Sequence, residues 1–320
     1  MANVEQLLRE KVKELLREKK VSRVIGYARG STAFRSAPVL VENEADADGL
    51  IFDITCGNNL AQYVRKQNRA RGGRTGIVAK GCDGRAVVQY LAEGQVKRED
   101  VLIIGVPCEG VLDVRKVRDR VQDRDASRCR VDGVTVVFEG KDFEVSLDRA
   151  DVLSDSCKRC RYPNPPVYDV FITEPVEAAP EKYGRQGLEK FEELGAAERW
   201  AFFEKEFGRC IRCYACRNAC PMCYCEECFV DQSDPQWFGK STDLSDTMLF
   251  HIVRALHMAG RCVECGACER ACPLGINLSF LNQRVEREVR ERFGYTPGLD
   301  PDQIPAMATY DEEDKQEFIL

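Results

Sequence analysis

Two stretches of this chain carry cysteine at the same spacing. Cys210, Cys213, Cys216 and Cys220 are followed by Pro221, and Cys262, Cys265, Cys268 and Cys272 by Pro273. Two-residue gaps let one tight loop present three thiolates to three corners of a four-iron, four-sulfur (4Fe-4S) cubane. The cysteine after the three-residue gap cannot fold back onto that cubane and reaches a neighbouring one instead. The rule assigns Cys210, Cys213, Cys216 and Cys272 to a first cluster, and Cys262, Cys265, Cys268 and Cys220 to a second. Small residues within the loops (Ala215, Ala219, Gly266, Ala267, Ala271) suit a backbone wrapped round a bulky inorganic core. Structural zinc also uses Cys-x-x-Cys pairs, but a zinc site needs four ligands and has no use for two matched motifs of this length.

The rest of the composition narrows the setting. The 320 residues leave room for two domains with real cores. A net charge of -6 argues against a nucleic-acid partner, which usually draws a basic excess. No apolar run approaches the length of a membrane span. In the first 20 residues Val4, Leu7, Leu8, Val12, Leu15 and Leu16 form a helical stripe among charges, not the apolar block of a signal peptide. These features predict a cytoplasmic chain in a reducing compartment. Disulfides are disfavoured there, so 17 cysteines point to metal.

Periodicity predicts an α/β N-terminal domain with a mostly parallel sheet, followed by a mainly α-helical dicluster module. Strands are expected at 21–27, 39–42, 49–54, 75–79 and 101–106, helices at 58–68, 85–93 and 111–121, and a hairpin at 134–138 and 143–147. A proline- and charge-rich stretch, 162–181, reads as irregular. Further helices are expected at 188–207, 244–258 and 278–293. The expected divisions are an α/β domain at 1–172, a linker at 173–198, the dicluster 4Fe-4S domain at 199–293 and an acidic tail at 294–320. The tail is expected to be poorly ordered or bound to a partner, and the acidic runs 42–48 and 311–314 read as solvated faces.

Three more cysteines share a place in the predicted α/β domain. Cys56, Cys82 and Cys108 each follow an expected strand, at the carboxyl edge where such folds place ligands. Cys157 and Cys160 add a Cys-x-x-Cys pair on the loop leaving the domain. Gly81 to Arg85 and Gly105 to Gly110 read as tight turns, the first opening a helix whose N-terminus favours negative charge. Either these thiols converge on a third site or Cys56, Cys82 and Cys108 are ordinary core residues. Cys129 reads as structural. Cys223, Cys225 and Cys228, just past the first motif, either supply ligands for an additional cluster or a zinc, or shield the second cluster as buried thiols. The only histidines, His251 and His257, fall six apart on one expected helix. A packing or polar role is expected for them, and histidine acid–base catalysis in the α/β domain is excluded.

The long, partly helical gap between the two motifs resembles the α-helical ferredoxin type of fumarate reductase and heterodisulfide reductase subunits. Gly-Val-Pro-Cys108-Glu-Gly, followed by Cys157-x-x-Cys160, resembles the beta-subunit family of coenzyme F-420-reducing hydrogenases and dehydrogenases over roughly residues 50–172. That resemblance implies a flavin and a four-iron cluster that pass electrons between a deazaflavin coenzyme and iron–sulfur partners. Cys108, Cys157 and Cys160 match its cysteine pattern, with Cys82 or Cys56 as the fourth ligand. The chain departs from the family's flavin chemistry in that no Gly-x-Gly-x-x-Gly follows a strand; the loop Tyr27 to Thr32 is the nearest substitute. The fusion resembles electron-input subunits of heterodisulfide-reductase-like, hydrogenase and formate dehydrogenase complexes, whose flavoprotein or catalytic subunits are the implied partners. The expected function is a single-electron relay. The alternative is an oxidoreductase that holds FAD and oxidises a deazaflavin or nicotinamide hydride donor, and a non-redox reading makes the cysteines zinc staples of a scaffold.

Overall fold

The computed structural model describes residues 4–122, 124–178, 186–237, 239–310 and 313. Helix α1 (Val4–Arg17) buries Leu8, Val12 and Leu15, one side of its stripe, in the main core. Each such aliphatic contributes roughly 1.5–3 kcal/mol. Strand β1 (Arg23–Arg29) pairs antiparallel with β2 (Ser36–Val41) and parallel with β3 (Thr75–Ala79). Helix α2 (Ala61–Arg71) precedes β3, and α3 (Gly81–Ala92) follows it. Strand β4 (Val101–Gly105) pairs parallel with β3, and helix α4 (Val114–Val121) follows it. The sheet thus runs β2-β1-β3-β4 and then a two-residue β8 (Val170–Phe171), and is parallel except at β2.

Both faces of such a sheet must be covered, and β3 and β4 are buried along their whole length. Ala79 and Gly105 are register partners, so the backbone leaves the sheet side by side there. Cys82 and Cys108 each lie three residues further on.

Strands β5 (Ala126–Asp132), β6 (Thr135–Gly140) and β7 (Glu144–Asp148) form a separate antiparallel sheet over a second core of Val117, Val121, Val136 and Phe138. The expected hairpin is therefore three strands, and Cys129 lies within β5 opposite Phe138. Short helices α5 (Arg149–Val152) and α6 (Asp155–Lys158) lead to β8 (Val170–Phe171), which interrupts the stretch expected to be irregular.

Residues 49–54 are not a strand. A 3-10 turn (Asp46–Gly49) and a single bridge from Ile51 to Tyr27 replace it. Asp53 turns the chain by accepting from the Thr55 amide at 2.8 Å, which leaves Leu50, Ile51 and Ile54 pointing inward without a ladder.

The C-terminal part is helical. Within the expected linker, α7 (Gln186–Glu192) is already formed, and α8 (Ala196–Gly208) begins. Then follow α9 (Ala215–Asn218), α10 (Leu244–His257), α11 (Ala267–Ala271) and α12 (Ser279–Phe293). Beyond α12, Tyr295 and Ala306 are buried and anchor the segment there, whereas Ile304, Met307 and Tyr310 are exposed. The acidic positions 311, 312 and 314 lie outside the described residues. Among the described residues no helix is long and apolar enough to cross a membrane.

Candidate metal centres

The two motif loops repeat one backbone path. Arg212 and Tyr214 in the first, and Glu264 and Gly266 in the second, all take the left-handed conformation, with φ of 51°, 58°, 55° and 67°. Three of these four are not glycine, so the loop accepts strain to turn its thiols inward. Arg212 is held in the first loop by bonds to the Gly239 and Ser241 carbonyls at 2.6 and 2.7 Å, and its amide donates to Cys210 Sγ at 3.4 Å.

Cys210, Cys213, Cys216 and Cys272 line one small cavity together with Tyr214, Phe250, His251 and Ile276. His251 is 4% exposed and stacks on Phe207 at 4.4 Å. Burial and the nearby Arg254 cation push its imidazole down to about 3, so it is neutral. Neither ring nitrogen has a hydrogen-bond partner among the described residues.

In the second set the tie across the motifs is electrostatic. Cys262, Cys265 and Cys268 each interact electrostatically with Cys220. Burial pushes all four thiols up, Cys268 to about 12; for Cys220 a hydrogen bond with Cys223 is the larger cause. A thiol so placed resists ionisation in isolation, and a bound cation reverses that cost. Buried sulfurs beside unpartnered donors such as the Arg254 Nε and the His251 ring therefore fit four-iron clusters.

Cys82, Cys108, Cys157 and Cys160 line a third cavity of about 510 Å³. Cys82 lies in the first turn of α3, Cys108 just past β4, and Cys157 and Cys160 at and after α6. The Val111 amide donates to Cys157 Sγ at 3.4 Å. Lys80, 2% exposed, lies at the wall, paired with Asp83 at 2.7 Å, donating to the Asn58 carbonyl at 3.0 Å and bonded to the Tyr27 hydroxyl. Burial opposes its charge, but Asp83, Tyr27, Cys82 and Cys108 hold it protonated well above the ordinary lysine range. Cys265, of the second set, lines the same cavity. The second and third sets are thus neighbours.

Cys56 does not line that cavity. It is fully buried in the turn at Asp53, whose amide donates to its Sγ at 3.4 Å, and burial pushes its thiol to about 12. Cys129, at about 12 for the same reason, belongs to the second core. Cys223, Cys225 and Cys228 line a broad cleft of about 970 Å³ together with His257, Arg261 and Tyr224. They are engaged differently. Cys223 lies beside Cys220, both sulfurs near Met258 Sδ at 4.0 and 3.8 Å. Cys228 bonds Arg217, and Cys225 is exposed. Lys80, Arg254 and Arg270 surround the thiols without any spacing signal in the sequence; only burial and proximity reveal them.

Residues 206–276 match the family model described as a 4Fe-4S dicluster domain. The chain is similar to the F420-dependent formate dehydrogenase subunit beta of Methanocaldococcus jannaschii, 24% identical over 90% of this chain and 90% of that protein. It is similar also to the F420-dependent formate dehydrogenase 1 subunit beta of Methanococcus maripaludis, 23% identical over 92% and 91%. Among solved structures, a chain of the F420-reducing NiFe hydrogenase complex from Methanosarcina barkeri aligns with a TM-score of 0.40 at 11% identity, over 49% of this chain and 58% of that one.

Proposed function

We propose that this chain is the iron–sulfur electron-transfer subunit of a multisubunit oxidoreductase, with three four-iron clusters in series. Cys210, Cys213, Cys216 and Cys272 hold the first. Cys262, Cys265, Cys268 and Cys220 hold the second, and Cys82, Cys108, Cys157 and Cys160 the third. The observation that carries the reading is the shared wall at Cys265, which makes the third site the neighbour of the second. Bound clusters supply one-electron acceptance and release. The chain's part is to hold them close together, limit the access of water to most of their sulfurs, though Cys213 is exposed, and set the charge around them.

The formate dehydrogenase relatives suggest a setting in such a complex; the proposed partner is a catalytic or flavin-bearing subunit, with a deazaflavin coenzyme at one end of the path. The α/β part, 1–172, carries the third site and the dicluster part, 199–293, the other two. Cys223 is assigned a shielding place beside the second cluster. A metal spanning Cys223, Cys225 and Cys228 would need those three dissimilar environments to converge.

A second reading has one observation in its favour. The third cavity is larger than a cluster needs and is walled beyond the thiols by Gly110, Arg149, Val176 and Ala178, so FAD bound there would make the chain the hydride-oxidising subunit. Iron, sulfide, zinc and flavin content of protein purified without air separates the readings. About twelve irons and no flavin support the relay; stoichiometric FAD in addition supports the oxidoreductase; about eight irons would sink the third site.

A further inference from the structure

Arg254, on α10, is 4% exposed. Its Nη2 donates to the Cys216 carbonyl at 3.3 Å, and it lies one turn before Met258, against which Cys220 and Cys223 pack. Its charge faces Cys216 of the first set and Cys220 and Cys268 of the second. Arg270, on α11, donates through Nη1 to the Ser154 and Ser156 hydroxyls, each at 3.2 Å, and through Nη2 to the Gly57 carbonyl at 2.8 Å. These bonds pin the guanidinium in the wall of the third cavity, where Cys265 also stands. Its charge faces Cys265 and Cys268 of the second set and Cys82 and Cys157 of the third.

Each arginine therefore touches the fields of two neighbouring sets, and Arg254 that of Cys223 as well. A thiolate-ligated cluster is anionic and gains a further negative charge on reduction. A fixed cation in a medium of low dielectric favours the reduced state and raises the potential. A cation between two sites also offsets the repulsion that charge on one exerts on the other. An always-protonated guanidinium does this at any working pH, and its donors hold it in one place.

We propose that Arg254 and Arg270 are the positioning charges of the relay: Arg254 raises the potentials of the first and second clusters, Arg270 those of the second and third, and each weakens the repulsion within its own pair. The inference rests on the three-site reading above. The second cluster, flanked by both cations, is placed to have its potential raised most.

The test is a potentiometric titration of the full chain, purified without air and followed by electron paramagnetic resonance. The third cluster's signal is assigned by its loss in Cys108→Ala. Arg254→Gln should lower the first and second potentials and leave the third. Arg270→Gln should lower the second and third and leave the first, while Arg254→Lys and Arg270→Lys stay near the parent. Unchanged potentials in the Gln variants, equal movement of all three clusters, or a Lys variant falling as far as its Gln counterpart would overturn the proposal. So would loss of iron from both Gln variants, which would assign the arginines to folding alone. About eight irons in the parent would instead remove the third site before any titration, leaving the Arg254 pattern to be tested by itself.

Discussion

At the scale of single residues, Cys82 and Cys56 show how environment separates two similar cysteines. Both follow apolar runs, but Cys82 starts a helix at an open cavity, whereas Cys56 is enclosed by its own turn. Cys82→Ala should therefore cost about four of about twelve irons, as should Cys108→Ala, and Cys56→Ala should cost none. Iron loss from the Cys56 variant equal to that from Cys82→Ala would reverse the assignment. Lys80 offers a second test. It and Asp83 are 2% and 0% exposed as side chains, so Lys80→Met leaves a carboxylate buried without its partner. Removing one member of such a pair costs about 3–5 kcal/mol. The variant should unfold at markedly lower urea, and an unchanged midpoint would mean that Asp83 is protonated or hydrated in place. The third proposed site was legible only as far as Cys82 or Cys56, a choice that tertiary placement decides, whereas the eight thiols proposed for the two motif sites were legible because ligand spacing is a local property of the chain. Arg254 and Arg270 were not, since an arginine in sequence carries no sign of whether it will lie in solvent or between two clusters.

At the scale of elements, the strands read correctly are those with a ladder to join. Residues 75–79 and 101–105 are continuous apolar runs between turns, and they form the buried centre of the sheet. Residues 49–54 have a similar apolar content, but Asp53 captures the Thr55 amide and hydroxyl and bends the chain before a second ladder bond can form. Side-chain competition for the backbone defeats hydrophobicity there. The expected start of α3, at residue 85, is four residues late, because Gly81 and Gly84 look like turn residues. Their function is close approach: a Cβ on Gly81 would overlap the Tyr162 carbonyl oxygen, and one on Gly84 would overlap Pro165. The segment carrying Cys160 could then no longer close over the start of α3. Gly81→Ala should cost at least the ~1–3 kcal/mol of an overpacked core, read as a lower urea midpoint, and should reduce iron by about one cluster. A fully loaded Gly81→Ala protein of parent stability would show that the two segments are not in contact.

At the scale of the whole molecule, α3 joins the part proposed to hold the third site to the part proposed to hold the other two. Arg85, Gln89 and Glu93 recur every four residues, so they share a face. Arg85 donates to the Val263 and Pro297 carbonyls, Gln89 accepts from the Tyr295 hydroxyl at 2.9 Å, and Tyr90 bonds the Pro221 carbonyl. Glu93 takes a two-pronged bond from Arg261, both contacts at 2.9 Å, and another from the Tyr224 hydroxyl. Arg261 also lies over the Tyr224 ring at 4.5 Å. Burial opposes the Glu93 charge, but Arg261 holds its carboxyl below the usual range. The pair is 10% and 20% exposed as side chains, dry enough for its geometry to matter more than screening. The three neighbouring cluster sites proposed above would require a rigid seam, and a polar seam of this kind specifies one docking angle, because each bond fails if the parts rotate. Glu93→Ala and Arg261→Ala should each lower stability by about 3–5 kcal/mol, since each strands the other charge. Glu93→Ala/Arg261→Ala should cost less than the sum, by about 0.5–3 kcal/mol, because the second truncation removes the stranded group. The readout is the urea midpoint of cluster absorbance beside that of far-ultraviolet circular dichroism. Additive losses would mean that the pair is not coupled. If the two single variants instead lose the third cluster's signal while the dicluster pair keeps its own, the seam holds α3, and with it Cys82, in register with the motif loops.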